Sequence, residues 1–297
     1  MSEARIEELL RRHAPPRGTA PSEIDGVALI RVTESMPTVP TTYPASLCFL
    51  VNGEKRIYFG GKTQSYGNGA FLCCTMPLPV ESEIPAASED NPVLGVLVDL
   101  ETPAMMETLV AMEASHRLSA EDHDFDAIPG LVVSPADAEL TDRVYRLLEL
   151  LDDPTARQVL EGSRLRELCF ALLRSGAGPA LHRTFGASRE LGRALAFLHQ
   201  HVAEPLTVES LARVAGMSKA VFHRRFRAMT SLSPIQFIKA IRLNHAAALI
   251  VGGTTIAQSA LQVGYSSPSQ FSRDFSRQFG MSPRVWSTKH RGLKTTL

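Results

Sequence analysis

No stretch of eighteen consecutive apolar residues occurs anywhere in the 297-residue chain, so no helix of it is expected to span a bilayer. The first residues, among them Glu3, Arg5, Glu7 and Glu8, lack the hydrophobic core of a signal peptide, and a cytoplasmic location is expected. Cysteine is scarce: Cys48, Cys73, Cys74 and Cys169 fit a reducing compartment and suggest no disulfide framework. Adjacent Cys73 and Cys74 would point to opposite faces of a strand, which opposes a mutual bridge. Between Ile24 and Leu100 there is no histidine. A metal site on strands there would lack the imidazoles that must converge on one ion, so no metal is expected. His199 and His201, two apart on a predicted helix, fall on different faces. No glycine-rich phosphate loop and no nucleophile motif is present, so the chain reads as no enzyme and needs no cofactor.

Net charge is also missing, because 31 Lys+Arg balance 31 Asp+Glu. The balance conceals a split. From Ala187 onward, 15 basic residues face 4 acidic ones, which leaves 16 basic and 27 acidic in the rest. A basic segment joined to an acidic one suggests a module that neutralises phosphates beside one that does not.

The acidic part changes character along its length. Val27–Val32, Leu47–Val51, Lys55–Phe59, Ala70–Thr75, Val80–Ile84 and Val93–Leu100 read as short strands with turn residues between them. Asn52-Gly53 predicts a two-residue hairpin, and the many short strands predict a small barrel or sandwich. Alternation along these strands makes Leu47, Phe49, Tyr58, Phe71 and Leu97 candidates for lining an apolar effector pocket. After Leu100 the period becomes helical. Leu140, Val144, Leu147, Leu148 and Leu151 form one apolar stripe, and Leu165, Leu168, Cys169, Leu172 and Leu173 form another. Both suit core packing, and a homodimer seam is a second use. Gly176–Ala187 predicts a linker.

The basic part holds one pattern twice. Leu211-Ala212, Ala215-Gly216-Met217-Ser218, Phe222 and Phe226 match Ala260, Val263-Gly264-Tyr265-Ser266-Ser267, Phe271 and Phe275. In each copy a glycine supplies a left-handed turn, a serine can cap the next helix, and aromatics four apart face inward. Helices are expected over Ser188–His201, Val208–Ala215, Ser218–Thr230, 234–251, Thr255–Val263 and Pro268–Phe279, with Gly280 as a C-cap. Two tandem helix-turn-helix units joined by a helix about 27 Å long can address successive major grooves, about 34 Å apart.

Residues from about Ser188 to Arg291 resemble the AraC/XylS family of transcription regulators. The resemblance lies in Gly216-Met217-Ser218, Phe222-His223-Arg224-Arg225-Phe226, Ser233-Pro234-Ile235-Gln236-Phe237, Gly264-Tyr265 through Phe275, and Phe279-Gly280-Met281-Ser282-Pro283. Upstream, Pro44 to Ile57, Met76 to Val80 and Asn91 to Leu94 resemble the family's N-terminal domain. The resemblance implies an α+β architecture: a cupin-like barrel with dimerisation helices over 1–186, and an all-α DNA-binding domain over 187–297. It places base reading on Ala220, His223, Arg224 and Arg227 in the first recognition helix and on Ser269, Gln270, Arg273 and Arg277 in the second. Arg224 and Arg273 suit guanine, Gln270 suits adenine, and Ala220 can reach only a thymine methyl. Arg225, Lys239 and Arg242 are expected to neighbour phosphates.

The expected function is sequence-specific transcription regulation on double-stranded DNA, controlled by a small-molecule effector in the barrel, with RNA polymerase a possible partner. The alternative is a constitutive DNA-binding regulator whose barrel serves only assembly or protein docking.

Overall fold

The structure, a computed structural model, describes residues 2–59, 61–115, 130–185, 189–230 and 232–289. The chain forms two compact units: Met1–Thr38 with Pro44–Met76 and Ser82–Ser188, and Arg189–Leu297 with Val39–Tyr43 and Pro77–Glu81. The expected boundary at 186/187 lies outside the described residues.

The chain begins with helix α1 (Ser2–His13) and strands β1 (Gly18–Pro21), β2 (Val27–Val32), β3 (Met36–Tyr43), β4 (Ser46–Asn52) and β5 (Glu54–Phe59). β6 (Lys62–Gly67), β7 (Ala70–Cys74), β8 (Leu78–Ile84), β9 (Val93–Asp99), α2 (Pro103–Ser115) and β10 (Leu131–Pro135) follow. α3 (Ala138–Leu148), a 3₁₀ turn (Glu149–Leu151), α4 (Pro154–Arg174) and α5 (Gly178–Phe185) close the series. The strands make two sheets, β1-β2-β9-β4-β7-β10 and β3-β8-β5-β6, rather than one closed barrel. The Asn52-Gly53 hairpin is overturned, since β4 and β5 belong to different sheets and the chain turns a corner at Gly53, where φ is +86°. The Asn52 side chain bonds the Pro92 carbonyl (2.7 Å) instead of shaping a tight turn.

In the six-stranded sheet, register fixes what each face buries. One row across it reads Leu29, Val96, Phe49, Phe71, and the next on that face reads Val27, Val98, Leu47, Cys73. These residues share one apolar core with Ile6 and Leu10 of α1, Leu140, Val144 and Leu147 of α3, and Leu168 and Leu172 of α4. Ala28, Leu97, Cys48 and Leu72 form the alternate row. Side chains reverse face at each residue, so Leu47, Phe49 and Phe71 lie under helices. Their assignment to an effector pocket is therefore corrected. Tyr58 is corrected too, because its hydroxyl bonds Glu83, and Glu54 and Arg56 share its side of β5. Leu97 alone of the five lies in the alternate row.

Both helical stripes are spent inside the unit. Leu140 and Leu148 are 0% exposed and Leu168 is 1% exposed. Each such leucine contributes roughly 1.5–3 kcal/mol by leaving water. They are core residues and supply no exposed seam for a second subunit. Asp137 and Asp153 cap α3 and α4 with their carboxylates, which fixes where the helices begin over the sheet. The expected linker contains α5 instead, anchored by Leu181 in the same core.

The second unit has α6 (Arg189–Gln200), α7 (Val208–Val214), α8 (Lys219–Thr230), α9 (Pro234–Val251), α10 (Ile256–Gln262), α11 (Pro268–Phe279) and α12 (Pro283–Lys289). Of its two strand segments, Val39–Tyr43 is held in part by α9, where Asn244 donates to the Thr41 carbonyl at 2.6 Å. Among the described residues no helix is long and apolar enough to cross a membrane.

Candidate nucleic-acid interface

The two copies of the sequence pattern fold into the same local structure. After α7, Gly216 N–H bonds the Arg213 carbonyl (3.0 Å) and Met217 N–H bonds the Ala212 carbonyl (2.9 Å). After α10, Gly264 and Tyr265 repeat this to Leu261 (3.0 Å) and Ala260 (2.9 Å). Both glycines are left-handed, at φ +64° and +80°, as this helix-ending motif requires. Ser218 then accepts from Val221 N–H (3.4 Å) and Ser267 from Gln270 N–H (3.3 Å), so each recognition helix starts on its own serine. Pro268 takes the first helical position of α11, and Gly280 ends it at φ +67°.

Aromatic side chains decide which way each recognition helix faces. Phe222 and Phe226 are fully buried, and Phe226 meets Phe237 of α9 edge-on at 5.3 Å. Phe271 and Phe275 do the same in the second helix-turn-helix, with Tyr265 of its turn and Trp286 of α12. Burying residues four apart turns the opposite face outward. Ala220, His223, Arg224 and Arg227 of α8 are all exposed, as are Ser269, Gln270, Arg273 and Arg277 of α11. Within each helix they recur at three- and four-residue steps, so each set lies on one face. Among the described residues Arg273 bonds the Ser269 carbonyl of its own helix, at 3.3 Å.

The three expected phosphate neighbours fare differently. Arg225 is exposed and pairs with Glu190 of α6 at 3.6 Å, a surface contact of little energy. Lys239 pairs with Asp274 at 3.1 Å. Arg242 is directed into the protein: Nε donates to the Val202 carbonyl (2.8 Å) and Nη2 to the Glu204 carbonyl (2.6 Å). Two of its donors are thus committed, and burial lowers its pKa from the ordinary arginine value. The geometry gives Arg242 a bracing role in place of the expected phosphate contact.

Asp274 escaped the sequence reading. It lies on the Phe271 and Phe275 side of α11, and the Tyr265 hydroxyl is placed to donate to it at 3.4 Å. Burial, then the neighbouring carboxylate, pushes the Tyr265 phenol well above its usual range. The available signal was a single acid on a basic helix at the spacing of the buried aromatics. Lys219, at the start of α8, also closes an ion pair with Glu209 of α7 across the first turn.

Comparison with known proteins follows the same division. The family model for the AraC-type transcriptional regulator N-terminus matches residues 23–180, and that for a helix-turn-helix domain matches 211–289. The HTH-type transcriptional regulator AlkR of Acinetobacter baylyi is 40% identical over 96 residues, 32% of this chain and 31% of its own length. The transcriptional activator RhaR of Klebsiella pneumoniae is 27% identical over 56% of this chain and 63% of its own length. The chain thus spans less than two thirds of either relative. Among solved structures, ToxT from Vibrio cholerae has a TM-score of 0.52 at 10% identity, covering 90% of this chain and 98% of that one. A ToxT structure bound to an unsaturated fatty acid has a TM-score of 0.51 at 12% identity, covering 88% and 94%. At such identity the likeness is one of fold. More than half of the chain answers to the N-terminal model and the helix-turn-helix match follows it in sequence: the protein belongs to the AraC-type transcriptional regulators, which are not enzymes.

Proposed function

We propose that the protein binds double-stranded DNA through α8 and α11 and thereby regulates transcription. One observation carries this reading: two helices with identical turns and caps bury their aromatic faces and expose Arg224, Arg227, Arg273 and Arg277 with Gln270 and Ser269 on the other. Bidentate arginine and glutamine contacts suit guanine and adenine edges in the major groove. The surplus of 15 basic over 4 acidic residues from Ala187 onward supplies the phosphate attraction.

The test is titration of the full-length chain against a duplex it selects from random-sequence DNA, over a range of salt. Affinity should fall steeply and linearly on logarithmic axes. Arg224→Ala and Arg273→Ala should each weaken the selected duplex by about 1–3 kcal/mol and random DNA far less. Equal losses on both duplexes would make these arginines phosphate contacts.

The finer reading adds a small-molecule effector in the first unit. It is supported by the alternate row of the six-stranded sheet, where Leu97, Cys48 and Leu72 present only apolar groups. An effector seated there would be apolar, in keeping with the fatty acid bound by ToxT. Leu97→Lys should abolish any effector-dependent change in operator affinity while leaving effector-free binding intact. If no apolar metabolite shifts that affinity, the constitutive reading replaces this one.

A further inference from the structure

Polar side chains of α9 engage both helix-turn-helix units. Arg242 bonds the Val202 and Glu204 carbonyls, which belong to the loop feeding α7 and the first helix-turn-helix. The turn of the second helix-turn-helix closes on the same loop: a Cβ at Gly264 would stand 2.5 Å from the Ala203 carbonyl oxygen and 3.1 Å from Arg242 Nη2. Entry loop, linker arginine and second turn therefore meet with no space for a methyl group. One helical turn earlier, Lys239 reaches Asp274 of α11, and the Tyr265 hydroxyl meets the same carboxylate oxygen. Asp274 is 9% exposed and is the one buried carboxylate among the described residues. Lys239 is 43% exposed, so water screens the pair and it adds little stability, whereas fixing one geometry is a use it can serve.

We propose that Arg242, Lys239 and Asp274 are positioning residues that hold the two recognition helices at one relative setting. The protein then reads the spacing of two half-sites as well as their sequences. The inference rests on the DNA-binding reading above. One base pair inserted between half-sites moves the second by about 3.4 Å and turns it by about 35°. A locked pair of helices cannot follow that displacement, and a loosened pair can. Loss of the second contact removes the gain from tethering, which is roughly 10²-fold or more.

The experiment uses the full-length protein, the duplex selected by wild type, and two further duplexes with one base pair inserted or removed between the footprinted half-sites. Wild type should lose about 10²-fold or more on either altered duplex. Arg242→Met, checked for folding by the emission of Trp286, should bind the parent duplex within about 10-fold of wild type and lose less than about five-fold on the altered ones. If Arg242→Met does not fold, the pair Lys239→Met with Asp274→Asn decides by the same criterion, since Asn keeps the size and still accepts from Tyr265. Folded variants that keep the full wild-type spacing penalty would overturn the proposal, as would a wild type indifferent to spacing. A wild type that selects no duplex at all would overturn the DNA-binding reading instead.

Discussion

Gly216 and Gly264 occupy equivalent places in the two helix-turn-helix motifs, yet replacing each with alanine should have unequal consequences. Both have positive φ, +64° and +80°, so alanine carries the left-handed penalty of about 1–2 kcal/mol at either position. At Gly216 the added methyl meets nothing within 4 Å. At Gly264 it stands 2.5 Å from the Ala203 carbonyl oxygen, so the turn and the α6–α7 loop must separate by roughly an ångström. Forcing an extra carbon into packed backbone costs about 1–3 kcal/mol more. The expected totals are about 1–2 kcal/mol for Gly216→Ala and about 2–5 kcal/mol for Gly264→Ala. The chain has one tryptophan, Trp286, and it is buried against Phe275 and Phe279 in the second unit's core. Urea titration followed by its fluorescence, with helical circular dichroism in parallel, reads both variants. With a slope of about 1.5 kcal/mol/M, the Gly264→Ala midpoint should lie about 0.7–2 M below that of Gly216→Ala. Midpoints within about 0.3 M of each other would refute the close approach and the reasoning built on it.

Further outcomes follow from the first unit. Phe49→Ala should destabilise by about 3–5 kcal/mol, since Phe49 is fully buried beneath the helices, and thermal unfolding checks it. A variant that kept its melting temperature and lost only an effector response would restore Phe49 to a pocket. Leu147→Glu should leave no folded protein, because Leu147 is 1% exposed; a folded monomer from a dimeric wild type, seen by light scattering, would contradict this. The Asp152 carboxyl is held below its usual range first by the His13 hydrogen bond and then by Arg12. A depressed folded value means that the pair's stabilisation is present at neutral pH and is lost as pH falls through that value. Both groups are partly exposed, so Asp152→Asn should cost less than about 1 kcal/mol at pH 7 and nothing near pH 2, which paired melting curves would show.

The DNA-facing unit was legible almost residue by residue. The helix expected over 234–251 is α9 from Pro234 to Val251, and that expected over Pro268–Phe279 is α11. Capping serines, turn glycines and aromatics at helical spacing act over a few residues, so their chemistry is written in the sequence alone. Among strands the sequence determined the interior ones. The six read from it are β2, β4, β5, β7, β8 and β9, which all lie between two neighbours. The four it missed, β1, β3, β6 and β10, are the edges of the two sheets. Edge strands tolerate Pro21, Pro37, Pro40 and Pro135 and polar runs such as Lys62–Ser65, which blurs the local signal; pairing with a distant neighbour makes them strands. Tertiary structure alone decided which parity of each strand faces the helices. An apolar run buried on both sides does not mark its faces, so Phe49 and Leu97 could not be told apart before α1, α3 and α4 were docked. It also decided that Arg242 turns inward and that Gly264 is crowded where Gly216 is open, because both depend on the loop 202–204, far away in the chain and adjacent in the fold.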